Sequence, residues 1–151
     1  MASWILVLSL AFILVGVGTS SAVPTAYDVL VSYGFPEGLL PKTVKNSGEN
    51  YDLKGNGAFE LHLERPCRFT IPGNYEVKYD SRIAGVIDFN HLRSLSGISV
   101  RYFHMWWNID AISVNGKDLH FQVGRFSSNF PADNFDENPM CTGSGGGHAD
   151  H

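Results

Sequence analysis

The chain predicts an all-β, mainly antiparallel fold: a single compact domain, barrel-like or sandwich, with one short N-terminal helix. Three observations carry that prediction. Aromatic residues make up 13% of the 151 residues and glycine contributes 16 of them, a composition that suits strands joined by many turns. From Tyr51 onward apolar side chains recur at every second position, the period of a half-buried strand. The third is the stretch from Gly97 to Trp107, G-I-S-V-R-Y-F-H-M-W-W, the longest β-favouring run, largely apolar on both alternating faces. A hydrophobic content of 44% against 17% charged residues is enough to fill one core, and the length suits one domain.

Ahead of that domain the chain begins with a targeting segment. Ile5 to Val17 is an uninterrupted run of apolar and small residues, and Ser20-Ser21-Ala22 offers the small side chains a signal peptidase requires. Residues 1–22 are therefore expected to be a signal peptide, residues 23–142 the β domain, and residues 143–151 a disordered Gly/His tail. The apolar run is shorter than the roughly 20 residues that span a bilayer, so no stable membrane insertion is expected once the signal is removed. The expected location is the secretory pathway, either the extracellular space or an endomembrane lumen. An oxidising route makes a disulfide the natural use for the two cysteines, Cys67 and Cys141. The alternative, a catalytic cysteine, finds no histidine paired with either in sequence.

In chain order, Thr25 to Tyr33 predicts a short helix. Thr25 caps it, Asp28 favours its N-terminus, Gly34 stops it, and Ala26, Val29, Leu30 and Tyr33 share a face. A helix so short is not stable alone in water, so that face must dock. Phe35 to Pro41 reads as a pinned loop. Phe59, Leu61 and Leu63 then alternate with polar residues as a strand, as do Cys67, Phe69 and Ile71, with a bend at Pro66. Tyr75, Val77 and Tyr79 form the next strand, Ile83 to Ile87 another, and Phe89 to Ser96 a connection into the Gly97 to Trp107 strand. Alternation places Ile98, Val100, Tyr102, His104 and Trp106 on one face of it, and Ser99, Arg101, Phe103, Met105 and Trp107 on the other.

Asn115-Gly116 is a strong hairpin signal, and a two-residue loop there sets Val114 opposite Lys117 and Ile112 opposite Leu119. Continued without a bulge, that register places Trp106 against Arg125 as a cation–π pair. Phe130 to Pro139 is expected to leave the sheet.

Several segments, taken in order, resemble one family. They are Thr25-Ala26-Tyr27-Asp28-Val29-Leu30, Tyr33-Gly34-Phe35-Pro36-Glu37-Gly38-Leu39-Leu40-Pro41, Cys67-Arg68-Phe69, Ile83-Ala84-Gly85-Val86-Ile87, Leu95-Ser96-Gly97-Ile98-Ser99-Val100, Phe121-Gln122-Val123-Gly124 and Phe130-Pro131-Ala132-Asp133-Asn134-Phe135. Together they resemble the plant proteins grouped as the Domain of Unknown Function 538 family. The resemblance implies a land-plant source, a secretory signal and one compact, mostly antiparallel β domain. It carries over no activity and no catalytic residue. A kinship to lipid-binding bactericidal proteins and a hydrolase role have both been suggested for the family.

The net charge of −4 argues against a nucleic-acid partner, which needs a clustered cationic face, and speaks equally against anionic membranes. No G-x-S-x-G, H-E-x-x-H, Walker loop or C-x-x-C occurs. Of the histidines in the domain, His62 and His120 fall on polar strand faces, His91 lies in a connection, and His104 sits among apolar neighbours, where a core histidine outweighs a catalytic base. No catalytic residue, metal site or cofactor is assigned: His148, Asp150 and His151 lie on a glycine-tethered tail, and Asp133, Asp136 and Glu137 do not follow a calcium-loop spacing.

The expected function is therefore non-enzymatic binding of a lipid-like or other apolar small molecule. Tyr102, Phe103, Met105, Trp106, Trp107 and Phe121 would form the wall, unless those side chains simply fill the core. The alternatives are an ester hydrolase and a protein-interaction module in stress or growth signalling, the latter docking through exposed aromatics around Phe35 or Phe135.

Overall fold

The structure, a computed structural model, describes residues 23–42 and 51–142. The expected signal peptide and the Gly/His tail, including His148, Asp150 and His151, lie outside the described residues. Helix α1 spans Ala26–Ser32. Its start is set locally: the Thr25 side chain accepts from the Asp28 amide at 3.1 Å, and the Asp28 carboxylate accepts from the Thr25 amide at 3.0 Å. Ala26 and Leu30 are the buried contacts of its docked face. Phe35, Leu39 and Leu40 pin the following loop, which makes a 3₁₀ turn over Glu37–Leu39.

The rest is one nine-stranded antiparallel sheet. Its strands are β1 Tyr51–Leu53, β2 Ala58–His62, β3 Cys67–Ile71, β4 Tyr75–Asp88, β5 His91–Tyr102, β6 Met105–Asn108, β7 Ala111–Asn115, β8 Asp118–Val123 and β9 Phe126–Pro131. The path runs β1-β2-β4-β5-β7-β8-β9, with β3 also on β4 and β6 also on β5. Among the described residues β1 and β9 end that path unpaired with each other, so the sheet is open and the sandwich alternative holds rather than the barrel.

Two long strands organise this sheet. β4 is continuous where the alternation predicts two strands, and β5 absorbs His91 to Ser96 of the predicted connection, leaving Phe89-Asn90 as the turn. The reason is a pair of irregularities that hide the period. Ser94, at φ 53, lies where two residues of β5 oppose one of β4, and Gly97, at φ 96, faces the bulged segment Asp80 to Ile83. A Cβ on Gly97 would stand 2.4 Å from the Arg82 carbonyl oxygen, so only glycine fits there. Bent at this point, β4 accommodates β3 and β2 in tandem along one edge, and β5 accommodates β6 and β7 along the other.

The Gly97 to Trp107 run is not one strand. It reverses at Phe103-His104, both at positive φ, and returns as β6, pairing Tyr102 with Met105, Arg101 with Trp106 and Val100 with Trp107. Paired residues share a face, so Trp107 lies with Val100 and Tyr102, and Trp106 with Arg101, the opposite of continuous alternation. The β7–β8 hairpin is also shifted: Gly116-Lys117 is the loop, Val114 faces Leu119 and Ile112 faces Phe121. Gly116 alone has positive φ there, which favours glycine at the first loop position over Asn115. Phe130 and Pro131, expected outside the sheet, belong to β9, and the chain leaves through a 3₁₀ turn at Ala132–Phe135.

The outer strands fold back over β4. Tyr75 on β4 meets Phe130 on β9 edge-on at 5.6 Å between ring centres, and Trp107 on β6 meets Phe126 on β9 at 6.0 Å. The cysteines are joined as expected, Cys67 to Cys141 with Cα atoms 5.1 Å apart. Phe35 and Phe135 are core residues, only 3% and 4% exposed, and so do not form the docking patch proposed around them.

Candidate functional site

Among the described residues two neighbouring apolar cavities open into the fold, and the larger of the two, about 190 Å³, lies between the two layers of the sandwich. Period-two alternation builds one wall: Phe69 and Ile71 from β3, Tyr75, Val77 and Tyr79 from β4, and Ile98, Val100 and Tyr102 from β5. Pairing across the β8–β9 hairpin builds the other. Phe121 stands opposite Ser128 and Val123 opposite Phe126, so all four share the inner face. Ring contacts lock this aromatic frame, with Phe121 5.5 Å from Phe130 and 5.8 Å from Phe135.

Among the described residues no carboxylate, histidine, lysine or arginine lines the larger cavity. Its polar groups are the hydroxyls of Ser127 and Ser128, the phenols of its tyrosines and the Trp107 indole, whose N–H donates to the Tyr102 carbonyl at 3.1 Å. Ser127, Ser128 and Phe126 are exposed and Tyr102 is 41% exposed, which places the mouth between the edge strand β9 and the end of β5.

The smaller cavity, about 80 Å³, lies beneath α1 against Leu61, Ile83 and Ile87. Leu39, Tyr79 and Ile98 line both cavities and form the partition between them. Burial of Tyr79 pushes its phenol well above the ordinary tyrosine range.

Of the residues expected to form a ligand wall, Tyr102, Trp107 and Phe121 line the larger cavity, whereas Phe103, Met105 and Trp106 do not. Phe103 sits in the β5–β6 turn at 74% exposure and Met105 beside it at 57%. Trp106 faces outward, and Lys78 stands 4.7 Å and Arg68 5.6 Å from its ring centre. The cation–π partner is thus Lys78 with Arg68, not Arg125, which occupies the β8–β9 turn. Sequence reasoning missed Tyr75, Val100, Val123, Phe126 and Phe130 as lining residues. Alternation marks Tyr75 and Val100 as inward, but nothing local brings β9 over β4.

His104, expected in the core, is exposed at the turn, because the chain reverses there instead of continuing as a strand. His120 meets the Asn129 side chain at 2.7 Å, and His62 lies 3.3 Å from Glu60. His91, expected in a connection, lies on β5 opposite Ser113 of β7, and Ser113 in turn lies opposite His120 of β8; among the described residues, however, no histidine hydrogen-bonds a serine hydroxyl.

The family model described as "Protein of unknown function, DUF538" matches residues 26–136, a span from the first residue of α1 to just past the last 3₁₀ turn. No curated protein and no solved structure matches the chain.

Proposed function

Since the chain belongs to the DUF538 family, whose description names no activity, we propose from its geometry that it is a non-enzymatic binding domain for a neutral, apolar small molecule. The observation that carries this reading is the aromatic-walled cavity of about 190 Å³, which among the described residues has no carboxylate, histidine, lysine or arginine in its lining. An apolar cavity of about 150 Å³ is large enough to take benzene, so this one suits a single substituted ring or an acyl chain of about eight carbons. The serine hydroxyls at the mouth suit one polar end group on such a ligand. A disulfide-bonded domain is at home in an oxidising compartment, and we place the protein in the secretory pathway or outside the cell.

Organic extraction of the purified, disulfide-bonded protein followed by mass spectrometry identifies a resident ligand. Titration with a panel of short fatty acids, their esters and monocyclic terpenes should change the emission of Trp107, which lines the cavity. Val100→Phe, which fills the cavity from the β5 wall, should abolish that change. A protein that carries nothing and responds to no member of the panel would rule the reading out.

A further inference from the structure

Four large apolar side chains that stay exposed gather at one end of the sandwich: Tyr102 at 41%, Phe103 at 74%, Met105 at 57% and Phe126 at 57%. They occupy the ends of two hairpins, whose turns are Phe103-His104 and Gly124-Arg125. They form one patch: Tyr102 lies 4.3 Å from Phe103 and pairs with Met105 across the hairpin, while Trp107, whose indole N–H donates to the Tyr102 carbonyl, lies 6.0 Å from Phe126. Tyr102, Trp107 and Phe126 also line the larger cavity, so its mouth opens inside the patch.

Two further features single out this end. Phe103 and His104 hold φ of 53° and 66°, a backbone that Asn-Gly adopts freely and that a phenylalanine adopts only under strain. The strain is not repaid by core packing, because Phe103 points to solvent. Basic side chains also flank the patch. Arg101 precedes Tyr102, Arg125 precedes Phe126, and Arg68 and Lys78 stand over Trp106 on the outer face at the same end. The acids among them are Glu76, which bridges Arg68 and Arg101, and Asp110, which accepts from the Gly124 amide at 2.8 Å.

We propose that this end of the molecule is a peripheral docking surface for a phospholipid bilayer bearing anionic headgroups. Projecting hairpin tips with aromatic and thioether side chains suit insertion into the headgroup boundary, and flanking cations suit the anionic plane around it. The chain's overall charge of −4 does not decide the matter, since screening confines electrostatics to about 8 Å and the local balance at the tips is basic. The contact is superficial: among the described residues no helix is long and apolar enough to cross a membrane. With the cavity mouth inside the patch, an apolar ligand would pass between bilayer and protein without entering water. The docking itself rests on the exposed patch and stands whether the cavity is filled or empty.

Co-sedimentation of the disulfide-bonded protein with phosphatidylcholine vesicles, with and without added phosphatidylglycerol, tests this. The protein should pellet with the mixed vesicles. Phe103→Ser and Met105→Ser should each weaken partitioning about tenfold. Arg125→Gln should weaken it about fivefold on the mixed vesicles and leave the weaker binding to neutral ones unchanged. Phe89→Ser, at the opposite end and 70% exposed, should behave as the wild type. Wild-type protein that stays in the supernatant, or Phe103→Ser protein that pellets undiminished while retaining its circular dichroism, overturns the proposal. A concentration-dependent dimer that the same substitutions disperse, with no vesicle binding, reassigns the patch to a second copy of the chain. Ligand extraction is a separate measurement, so failure of one leaves the other standing.

Discussion

The phenol of Tyr79, on the inner face of β4, donates its hydrogen bond to the backbone carbonyl of Leu39, and this pair forms most of the partition between the two cavities. Tyr79 is only 4% exposed, so its phenolate would be stranded in apolar surroundings, and burial raises its pKa. The sign of the pH dependence follows. Below about pH 10, the ordinary tyrosine value, folded and unfolded chains both keep the proton and the stabilisation is whole. Above it the unfolded chain releases a proton that the folded one retains, so stability falls as pH rises. Tyr79→Phe should cost about 1–3 kcal/mol at neutral pH by orphaning the Leu39 carbonyl, and should make the alkaline loss shallower. Urea melts at about pH 8 and pH 11 check both statements, and an equally steep loss in the variant would absolve Tyr79.

Gly97 is where the sheet bends. Its φ of 96° and the 2.4 Å approach that a Cβ would make to the Arg82 carbonyl act together. Gly97→Ala should therefore destabilise by about 2 kcal/mol or more, beyond the usual helix-or-strand difference between the two residues. Thermal and urea unfolding measure it. A change below about 0.5 kcal/mol would mean that β4 and β5 slide past this contact freely and that Gly97 does not fix the bend.

What could be read from the sequence follows the reach of each signal. The capping box of Thr25 and Asp28, and the alternation that buries Cys67, Phe69 and Ile71, are local, and the chain alone displays them. The reversal at Phe103-His104 is invisible because neither residue is a usual turn former: it is a turn imposed by the pairing of Tyr102 with Met105 on either side. The polar run through Arg93, Ser94 and Ser96 hides half of β5, because a bulge breaks the period. The cavity joins strands distant in the pairing order, β4 with β9 above all. Alternation tells which way Tyr75 points and never that Phe130 waits there.

The turn itself can be relieved. Replacing Phe103 with Asn and His104 with Gly supplies residues that occupy positive φ at little cost, so the double variant should be more stable than the wild type by about 1–2 kcal/mol. Histidine tolerates this region better than phenylalanine, and most of the gain should come from position 103. Equilibrium unfolding in urea gives the number, and the same variant should lose vesicle binding. Stability gained with docking lost is the signature of strain kept for function. An unchanged or lower stability would show that the ring stacking of Phe103 on Tyr102 offsets the backbone cost.

The disulfide acts on the partition from a distance. Cys67 opens β3, fully buried, and Cys141 follows the segment that carries Asn138, whose side-chain amide donates to the carbonyls of Glu37 and Leu40 at 2.9 Å each. Lys42 donates its amide to the Pro139 carbonyl at 2.9 Å, and Thr142 donates its amide to the Arg68 carbonyl at 2.7 Å. The C-terminal strap therefore clamps the loop that carries Leu39, and the sulfur bridge anchors the strap to β3. With a sequence separation of 74, opening it should cost about 4 kcal/mol if restriction of the unfolded chain dominates. Paired Cys67→Ala and Cys141→Ala substitutions measure this in urea. Hydrogen exchange then distinguishes two consequences. If the strap is held mainly by the bridge, the Leu39 and Leu40 amides should exchange faster than the global loss of stability accounts for, because the loop opens by itself. If their rates follow global unfolding alone, the hydrogen bonds of Asn138 suffice to hold the loop, and the disulfide serves only the stability of the whole domain.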